Sequence, residues 1–430
     1  MAGTTTTIPL VLDNKDVVSS STFDVFSPAT GKLLYKCSSA SVDDAIRAAD
    51  SAQKAFKTWS KTKLSVRRNL ILKAADIYER RKEELIGYMQ EDIGALRPVS
   101  EFIVGMGLEL MRDTAGKVST IEGAAPALAM EGQSGLVYKE PYGVILGIAP
   151  WNAPFILGVR AVILAIAAGN TVVFKGSELS PRCHWAIADV FREAGFPEGV
   201  INVLFHRPAD AADVTNSLIE HPAIRKINFT GSTLVGALIS SAAGRNIKPV
   251  LLELGGKASS IILDDADLEK ATNGCAFAAF ANSGQICMST ERIIVQRSVS
   301  EKFQALLTTA MQRLDDPSQP PPNLVRADAV TKNKWLITDA VSKGATILYG
   351  NPDAQEAQPT HMRPVVIANV TPQMSLHQIE SFGPTVSLYV VDTEEEAIEL
   401  ANDTDYGLTS AVYTENLARG LRVARQIESG

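Results

Sequence analysis

The chain has 430 residues, a formal net charge of −7 and a hydrophobic content of 46%. This length excludes a single small module and suffices for two or three domains with separate cores. The composition is typical of a folded, water-soluble protein. Because the net charge is negative, the sequence offers no basic field for phosphate backbones, and we expect a small-molecule substrate and no nucleic acid.

The sequence contains neither a predicted membrane span nor a predicted secretory signal. The most apolar region, residues 144–174, is interrupted by Pro150, Asn152, Pro154 and Arg160, so it does not read as a continuous span of about 20 residues. The N-terminus lacks the basic start and apolar stretch of a secretory signal. We therefore predict a cytoplasmic protein without a membrane partner.

The four cysteines are Cys37, Cys183, Cys275 and Cys287. They show no CxxC spacing and have no nearby histidines that could complete a zinc site. The sequence therefore predicts neither a disulfide framework nor a metal centre.

Helical patterns dominate the first part of the chain. Ser41 and Asp44 form a capping-box pattern that opens an amphipathic helix over residues 41–58. Two further helices are predicted, from Ser65 to Arg80 and from Arg81 to Ile93. Dense surface charge accompanies all three.

From Tyr142 onward, short apolar runs alternate with helical patterns, which predicts parallel βαβ units. The predicted strands are Val144 to Ile148, Thr171 to Lys175, Ile201 to Leu204, Lys226 to Phe229 and Val250 to Leu254. The predicted helices are Pro154 to Ala168, Pro181 to Ala194, Ala211 to Ile219 and Thr233 to Ala243. Ligands bind such sheets beyond the carboxyl ends of the strands.

A second α/β series indicates a second domain. Its predicted strands are Ser259 to Leu263, Arg292 to Gln296 and Val386 to Val391. Its predicted helices are Asp267 to Asn282, Ser300 to Arg313, Thr393 to Asn402 and Arg419 to Ser429, the last stopped by Gly430. The proline-rich stretch that begins at Asp315 is interpreted as a surface loop.

Cys287 is the strongest candidate nucleophile. It follows a Gly-Gln turn after the helix predicted to end near Asn282, where a thiol can face a cleft. A thiolate can add to a carbonyl, and the resulting oxyanion needs hydrogen-bond donors. The side-chain amide of Asn152 and the backbone N–H of Cys287 could supply them. The alternatives are a buried hydrophobic cysteine and a turn residue in Pro-Trp-Asn-Ala-Pro.

Two further groups could complete this chemistry. Glu253 ends a strand that reads as buried, where a carboxylate with a raised pKa would suit a general base, although a salt bridge to Lys or Arg is the alternative. Gly231 and Ser232 form a glycine turn between a strand and a helix, which would direct backbone N–H groups towards a phosphate. The usual GxGxxG fingerprint is absent.

Five signatures occur in order along the chain: Ala149-Pro-Trp-Asn152, Phe229-Thr-Gly-Ser-Thr233, Glu253-Leu-Gly-Gly-Lys257, Gly284-Gln-Ile-Cys287 and Glu380-Ser-Phe-Gly-Pro384. Together they resemble the aldehyde dehydrogenase superfamily from about residue 20 to residue 430. The resemblance implies an α/β fold with a Rossmann-like cofactor domain, an α/β catalytic domain and a small oligomerisation hairpin. It also implies oxidation of an aldehyde through a thiohemiacetal and a thioester on Cys287, which water activated by Glu253 hydrolyses.

The resemblance also implies a bound NAD, with NADP possible. The matching cofactor positions are Ile148, Pro150, Trp151, Lys175, Ser177, Glu178, Gly231, Ser232, Leu254, Gly255, Glu380 and Phe382. Glu178 could accept from both ribose hydroxyls and should disfavour the extra phosphate of NADP. Two positions depart from the family pattern, since Gly176 stands where proline is common and a segment starting at His206 replaces a glycine-rich stretch.

By the same resemblance, residues 1–253 form the NAD(P)-binding domain, residues 119–142 its inserted hairpin, and residues 254–430 the catalytic domain. Family members continue beyond the position of Gly430, so the usual C-terminal segment is expected to be missing. A homo-oligomer is typical of the family, but the missing segment normally contributes to it.

Among the branches, the sequence around Cys287 looks most like the salicylaldehyde and vanillin dehydrogenases, which favours an aromatic aldehyde, in an aromatic-degradation or secondary-metabolite pathway. A truncated relative that binds NAD without efficient turnover is the rival hypothesis. A coenzyme-A acylating enzyme is disfavoured because Glu253 offers a base for water.

Overall fold

The computed structural model describes residues 6–430, which form two compact units. The first unit contains residues 6–27 and 32–253, and the second contains residues 28–31 and 254–430. The chain therefore passes from one unit to the other between Glu253 and Leu254. The assignment of cofactor binding to residues 1–253 and of catalysis to residues 254–430 stays a prediction.

The strands, numbered in chain order, are β1 Thr7–Ile8, β2 Leu10–Leu12, β3 Lys15–Val17, β4 Thr22–Phe26, β5 Leu33–Ser38, β6 Val144–Ile148, β7 Thr171–Lys175, β8 Ile201–Leu204, β9 Ile224–Thr230, β10 Val250–Glu253, β11 Ala258–Ile262, β12 Thr290–Gln296, β13 Thr346–Tyr349, β14 Val365–Ala368, β15 Thr385–Val391 and β16 Ser410–Tyr413.

The α-helices are α1 Val42–Trp59, α2 Leu64–Arg80, α3 Lys82–Ile93, α4 Arg97–Lys117, α5 Pro154–Ala167, α6 Pro181–Ala194, α7 Ala211–Glu220, α8 Thr233–Arg245, α9 Leu268–Phe280, α10 Arg297–Leu314, α11 Ala327–Ser342, α12 Ser375–Gln378, α13 Glu394–Asn402 and α14 Leu417–Ala424.

The first unit is built on a seven-stranded sheet in the order β10-β9-β6-β7-β8-β2-β3. Strands β6 to β10 run parallel to one another, and β2 joins β8 antiparallel. Apolar runs such as Val144–Ile148 are buried on both faces, as expected where crossover helices cover a parallel sheet. The predicted parallel α/β sheet is confirmed.

The second unit contains a six-stranded sheet in the order β13-β14-β15-β12-β11-β16. All of its neighbours pair in parallel except β13, which runs antiparallel to β14. The central strand β12 is buried along its entire length. This strand begins three residues after Cys287, so the candidate nucleophile leads into a buried strand of its unit.

Local sequence signals set several boundaries as predicted. The capping box at α1 is present, with the Ser41 side chain accepting from Asp44 N–H and the Asp44 side chain accepting from Ser41 N–H. Helix α6 spans Pro181–Ala194, the range that the sequence indicated. Helix α7 spans Ala211–Glu220 and ends one residue after its predicted end. Strands β1 to β5, β13, β14 and β16 and helices α4, α11 and α12 have no counterpart in the prediction, and short strands carry little periodic signal.

The prediction of a helix from Arg419 to Ser429 is wrong, because α14 spans Leu417–Ala424. The side chain of Asn402 accounts for the early end. Its Nδ2 donates to the carbonyl of Gln426 at 2.8 Å, and its Oδ1 accepts from the N–H of Glu428 at 2.9 Å. These bonds engage backbone groups that a longer helix would need.

The segment predicted as an oligomerisation hairpin forms a single antiparallel bridge between Ala124 and Val137. No longer ladder joins its two sides within the described chain. Leu136 and Tyr138 are exposed by 69% and 75%, so their apolar surface is available to solvent. A role in assembly stays a prediction. Among residues 6–430, no helix is both long and apolar enough to cross a membrane.

A buried arginine fastens the second unit. Arg292 on β12 has no exposed surface, and its guanidinium donates to the carbonyls of Leu400 at 2.9 Å, His377 at 2.8 Å and Asp403 at 2.7 Å. We expect Arg292→Met to lower the free energy of unfolding by about 3 kcal/mol, because three carbonyl oxygens lose their donor. Urea denaturation followed by circular dichroism measures this change.

Arg297→Met is the matched control, because Arg297 is 63% exposed and pairs with Asp392 at the surface. It should change the free energy of unfolding by less than about 1 kcal/mol. Equal losses for the two variants would contradict the role assigned to Arg292.

Candidate functional site

The carboxyl ends of four parallel strands meet at one edge of the sheet in the first unit. Ile148 at the end of β6 pairs with Lys175 of β7 and with Phe229 of β9. Glu253 at the end of β10 pairs with Thr230 of β9. Loops that leave this edge are therefore neighbours, and ligands of doubly wound sheets bind at this edge.

Asn152 lies in the short connection between β6 and α5. Its side chain is almost completely buried, with 4% of the residue exposed, while Pro150 and Trp151 are half-buried. Helix α5 starts with Pro154 in its first turn, where a proline needs no N–H acceptor. The local sequence thus fixes the position of an uncharged amide donor.

The connection after β7 contains several of the predicted cofactor residues. The N–H of Ser177 donates to Nδ1 of His184 at 3.1 Å, and the Ser177 hydroxyl donates to Glu178 at 3.3 Å. Burial lowers the pKa of Lys175, an effect that the nearby Glu178 opposes. Burial and the charge of Lys175 together lower the pKa of His184 to about 3, so this imidazole is neutral and accepts the bond from Ser177.

The structure explains why glycine stands at position 176. A Cβ built on Gly176 would lie 2.5 Å from the Phe205 ring and 2.8 Å from Nδ1 of His184. No larger residue fits unless these two rings move. The presence of glycine instead of proline at position 176 is therefore explained by the close packing of Phe205 and His184.

His206, the second departure, occupies the connection after β8. Only 3% of its surface is exposed, and its Nδ1 lies 3.0 Å from the carbonyl oxygen of Arg207. Burial and the charge of Lys175 lower its pKa to about 4. Its Nε2 has no hydrogen-bond partner within the described chain, which leaves a buried polar atom that a ligand could satisfy.

Gly231 and Ser232 join β9 to α8 as predicted from the glycine turn. Ser232 is the N-cap of α8 and accepts from the N–H of Val235 at 3.4 Å. The N–H of Gly231 donates to the carbonyl of Glu253 at 3.0 Å. The first N–H groups of a helix have no acceptor within the helix, so an anionic group of a dinucleotide suits this turn. Together with His206, this turn fits the implied cofactor.

The prediction that Glu253 ends a buried strand is wrong. Strand β10 lies at the edge of its sheet and pairs only with β9, and the Glu253 side chain is 36% exposed. Arg160 lies 4.0 Å from its carboxylate and donates to the hydroxyl of Thr230 at 3.1 Å. A half-exposed pair at this distance contributes little stability, so the carboxylate is not fully committed to a salt bridge.

In the second unit, the loop that leads to Cys287 has an unusual backbone. After α9 ends at Phe280, Asn282 and Ser283 adopt left-handed conformations with φ of 51° and 59°, and Gly284 follows with φ of 72°. Left-handed non-glycine residues need surrounding contacts to hold them. The Ser283 hydroxyl donates to the carbonyl of Asn323 at 3.0 Å and is one such contact.

Gln285 fastens the same loop from inside. It is 2% exposed, its Nε2 donates to the carbonyl of Asn282 at 3.1 Å, and its Oε1 accepts from the N–H of Val325 at 2.9 Å. Cys287 follows two residues later and is half-buried. The candidate nucleophile therefore lies on a loop whose backbone is held by the buried side chain of Gln285.

Glycines allow the Cys287 loop to pass at backbone contact with two other loops. A side chain at Gly256 would collide with the carbonyl of Cys287, and one at Gly284 would collide with the carbonyl of Gly383. Glycine is therefore required at positions 256 and 284, because the backbone of a neighbouring loop lies too close for a side chain. They bring the residues 255–257, 284–288 and 380–383 together.

The other three cysteines differ from Cys287. Cys37, Cys183 and Cys275 are buried, and burial raises the pKa of Cys37 and Cys183 well above the ordinary value and that of Cys275 to about 12. Such thiols stay protonated and inert. None of the four, all within the described chain, forms a disulfide.

Glu380 and Phe382 lie on the third of the interlocked loops. The carboxylate of Glu380 accepts from the N–H of Gly256 at 2.8 Å, and a Cβ at Gly255 would lie 2.7 Å from this carboxylate. Phe382 is half-buried and has φ of 47°. Leu254, also half-buried, begins the glycine loop.

Sequence reasoning missed Lys257 and Glu291, which form a salt bridge of 2.6 Å at side-chain exposures of 0% and 5%. Lys257 ends the signature Glu253–Lys257, and Glu291 follows the signature Gly284–Cys287 by four residues. The two charged residues Glu291 and Arg292, which directly precede the apolar run Ile293–Val295, were the available signal, because a buried charge needs a partner. Within residues 6–430, no group of three or more His, Cys, Asp or Glu side chains could hold a metal.

Comparison with known proteins identifies the family. The family model described as aldehyde dehydrogenase family matches residues 17–430. The chain belongs to the aldehyde dehydrogenase family. Vanillin dehydrogenase of Pseudomonas fluorescens is 41% identical over 414 residues, which is 95% of this chain and 85% of that protein. Benzaldehyde dehydrogenase [NAD(+)] of Pseudomonas putida is 35% identical over 95% of this chain and 83% of its own length.

A solved structure agrees with this membership. The crystal structure of a salicylaldehyde dehydrogenase from Pseudomonas putida G7 complexed with salicylaldehyde has a TM-score of 0.95 at 36% identity, covering 99% of this chain and 88% of that chain. The α/β aldehyde dehydrogenase fold is confirmed, and so is the resemblance to the salicylaldehyde and vanillin branch.

Glu380 gives this aldehyde dehydrogenase family member a testable pH dependence. Burial raises the pKa of Glu380 from 4.5 to about 7, and the Gly256 N–H only partly opposes this. Because the pKa is higher in the folded than in the unfolded chain, the contribution of this group to stability is complete below pH 4.5 and is lost as the pH rises through about 7. Without ligand, the melting temperature of wild type should fall more than that of Glu380→Gln between about pH 5 and about pH 8.

Differential scanning calorimetry of both proteins measures this slope. Glu399→Gln, an exposed substitution on α13, is the control and should keep the slope of wild type. Parallel curves for wild type and Glu380→Gln would contradict the assignment.

Proposed function

We propose that the protein oxidises an aromatic aldehyde to its carboxylic acid with NAD as the oxidant. The observation that carries the proposal is the setting of Cys287, the one half-buried cysteine among four within the described chain, on a loop fixed at backbone contact with two others. Three relatives whose names refer to vanillin, salicylaldehyde and benzaldehyde support the aromatic class.

The first proposed step is addition of the Cys287 thiolate to the aldehyde carbonyl carbon. A carbon–sulfur bond forms, and the π electron pair of the carbonyl moves to oxygen, which gives a thiohemiacetal oxyanion. The backbone N–H of Cys287 and the side-chain amide of Asn152 are the assigned donors to this oxyanion. An amide donor suits this role because it has no proton that it loses near neutral pH.

The assigned cofactor residues fall into three groups. The turn of Gly231 and Ser232 would bind phosphate, Lys175 and Glu178 would bind the adenosine ribose, and Glu380 and Phe382 would hold the nicotinamide end. When bound, the dinucleotide would supply the two-electron acceptor for the hydride of the thiohemiacetal carbon, and the oxyanion electron pair would re-form the carbonyl, which leaves a thioester on Cys287.

Hydrolysis of the thioester completes the proposed cycle. Glu253 removes a proton from water, the water oxygen adds to the thioester carbon, and the carbon–sulfur bond breaks to release the acid and regenerate the Cys287 thiolate. The partial exposure of Glu253 supports this role, since a carboxylate that is 36% exposed remains accessible to water.

The residues next to Cys287 favour a flat, apolar substrate. Ile286 is half-buried, and Met288 is exposed by 56%. A thioether and a branched aliphatic side chain form favourable contacts with aromatic rings. The sequence neighbours of the nucleophile thus suit an aryl group better than a charged or strongly polar one.

Glu253→Gln tests the hydrolytic step. The amide cannot take a proton from water, so the acyl group should accumulate on Cys287 and steady-state turnover should fall by about 100-fold or more. Intact-protein mass spectrometry after mixing with NAD and an aryl aldehyde detects the added acyl mass. Glu269→Gln, an exposed substitution on α9, is the control. Undiminished turnover in Glu253→Gln would refute the assignment of the base.

An aldehyde panel tests the substrate class. Formation of reduced nicotinamide should show kcat/KM values at least about tenfold higher for benzaldehyde, salicylaldehyde or vanillin than for propanal or butanal, because an apolar pocket discriminates by its contact area. Faster oxidation of the short aliphatic aldehydes would overturn the aromatic class. Binding of NAD without turnover of any aldehyde would favour the inactive relative instead. Parallel assays with NADP test the preference assigned to Glu178.

A further inference from the structure

We infer that Glu291 is a positioning residue that fixes the backbone carrying Glu380 and Phe382, and thereby sets the affinity for the nicotinamide dinucleotide. The inference rests on the proposed function, in which Glu380 and Phe382 hold the nicotinamide end of the cofactor. It concerns the buried Lys257–Glu291 pair, which takes no part in the proposed chemical steps.

Glu291 directs its carboxylate at the backbone of that loop. It is 4% exposed and lies on β12. Its Oε1 accepts from the N–H of Ser381 at 2.7 Å, from the Ser381 hydroxyl at 3.0 Å and from the N–H of Phe382 at 3.1 Å. Two consecutive backbone N–H groups therefore share one buried carboxylate, which determines where both residues lie.

Lys257 completes the arrangement from the other side. Its Nζ donates to Oε2 of Glu291 at 2.6 Å and to the carbonyl of Ile379 at 2.8 Å. Burial lowers the pKa of Lys257, and the charge of Glu291 opposes this shift. The ammonium thus neutralises Glu291 and fastens residue 379, while Glu291 fastens residues 381 and 382. Glu380 lies between the two attachment points.

The conformation of Phe382 shows why the loop needs this attachment. Its φ of 47° is left-handed, and a bulky residue stays in this region only where its surroundings hold it. The bond from its N–H to Glu291 is such a constraint. Asn333 adds another, since its Nδ2 donates to the carbonyl of Ser381 at 3.2 Å. Without Glu291, the loop could relax and displace the Phe382 ring.

The position of Glu380 depends on the same attachment. Its carboxylate reaches the N–H of Gly256, and Lys257 is the next residue in the chain. The Lys257–Glu291 pair therefore joins the loop of Gly255 and Gly256 to the loop of Glu380, one residue away from this contact. Loss of the Glu291 charge should change the distance between Glu380 and the glycine loop without touching the thiol of Cys287.

Glu291→Gln tests the inference because it keeps the side-chain volume but places an amide donor among the donors of Ser381, Phe382 and Lys257. Isothermal titration of the full chain with NAD should show an increase in Kd of about tenfold. The KM for NAD should rise in parallel, whereas the KM for the aldehyde should change by less than about twofold. The rate of Cys287 alkylation by iodoacetamide should also stay within about twofold of wild type.

Glu394→Gln is the matched control. Glu394 lies on α13 in the same unit, its side chain is 12% exposed, and it pairs with Arg419 at 2.7 Å. This variant can lower the melting temperature but should leave the Kd for NAD unchanged. Ser381→Ala removes the hydroxyl bond to Glu291 and the longer hydroxyl bonds of 3.3 Å to the carbonyls of Gly383 and Thr385, but it keeps both backbone N–H bonds to Glu291. It should give an intermediate Kd, so the test remains decisive even if Glu291→Gln folds poorly.

Two results would overturn the inference while leaving the proposed function intact. One is a Kd of Glu291→Gln within about twofold of a wild type that binds NAD. The other is an equal loss of affinity in Glu394→Gln, which would mean that any weakening of the unit reduces binding. If wild type bound neither NAD nor NADP, the proposed function would fail together with the inference.

Discussion

Close backbone contact among three loops is the constraint on which the arrangement around Cys287 depends. Gly256 lies against the carbonyl of Cys287, Gly284 lies against the carbonyl of Gly383, and Gly255 lies against the carboxylate of Glu380. The two contacts with backbone carbonyls exclude a Cβ atom and require glycine at positions 256 and 284, whereas a side chain at position 255 would displace the Glu380 carboxylate. Signatures that stand far apart in the sequence are therefore one packing unit, and a change in any of the three loops acts on the other two.

A different constraint organises the first unit. There the parallel register places the ends of β6, β7, β9 and β10 at one edge, so Asn152, Glu178, the Gly231 turn and Glu253 follow strands that end together. Packing then restricts what each loop can contain. Gly176 leaves room for Phe205 and His184, and the neutral His184 accepts the N–H of Ser177. The proposed cofactor residues Ser177 and Glu178 thus lie on a connection whose conformation depends on the rings of Phe205 and His184.

Features that depend on local sequence were predictable. Continuous apolar runs indicated the strands Thr171–Lys175 and Ile201–Leu204 with the bounds that the structure has, because burial on both faces leaves a signal in every residue. The capping box at Ser41 marked the start of α1 for the same local reason. The placement of Cys287 on a loop after a helix also followed from its immediate neighbours, while its role as the nucleophile stays a prediction.

Features that depend on tertiary neighbours were not predictable. The exposure of Glu253 follows from the edge position of β10, which no property of Val250–Glu253 reveals. The end of α14 follows from the side chain of Asn402, which lies on another helix. Lys257 and Glu291 could each be recognised as charges in apolar surroundings, but their partnership, 34 positions apart, becomes visible only when β11 and β12 pair.

Stability alone does not explain why this buried position holds a charged pair. Removing two charges from water carries a large desolvation penalty, and a well-packed apolar pair of similar volume is often equally stable or more stable. An apolar residue at position 291, however, could not accept the N–H groups of Ser381 and Phe382. Those groups would then be buried without partners, and the left-handed backbone at Phe382 would lose its restraint. The pair is therefore best explained by the loop conformation that it imposes.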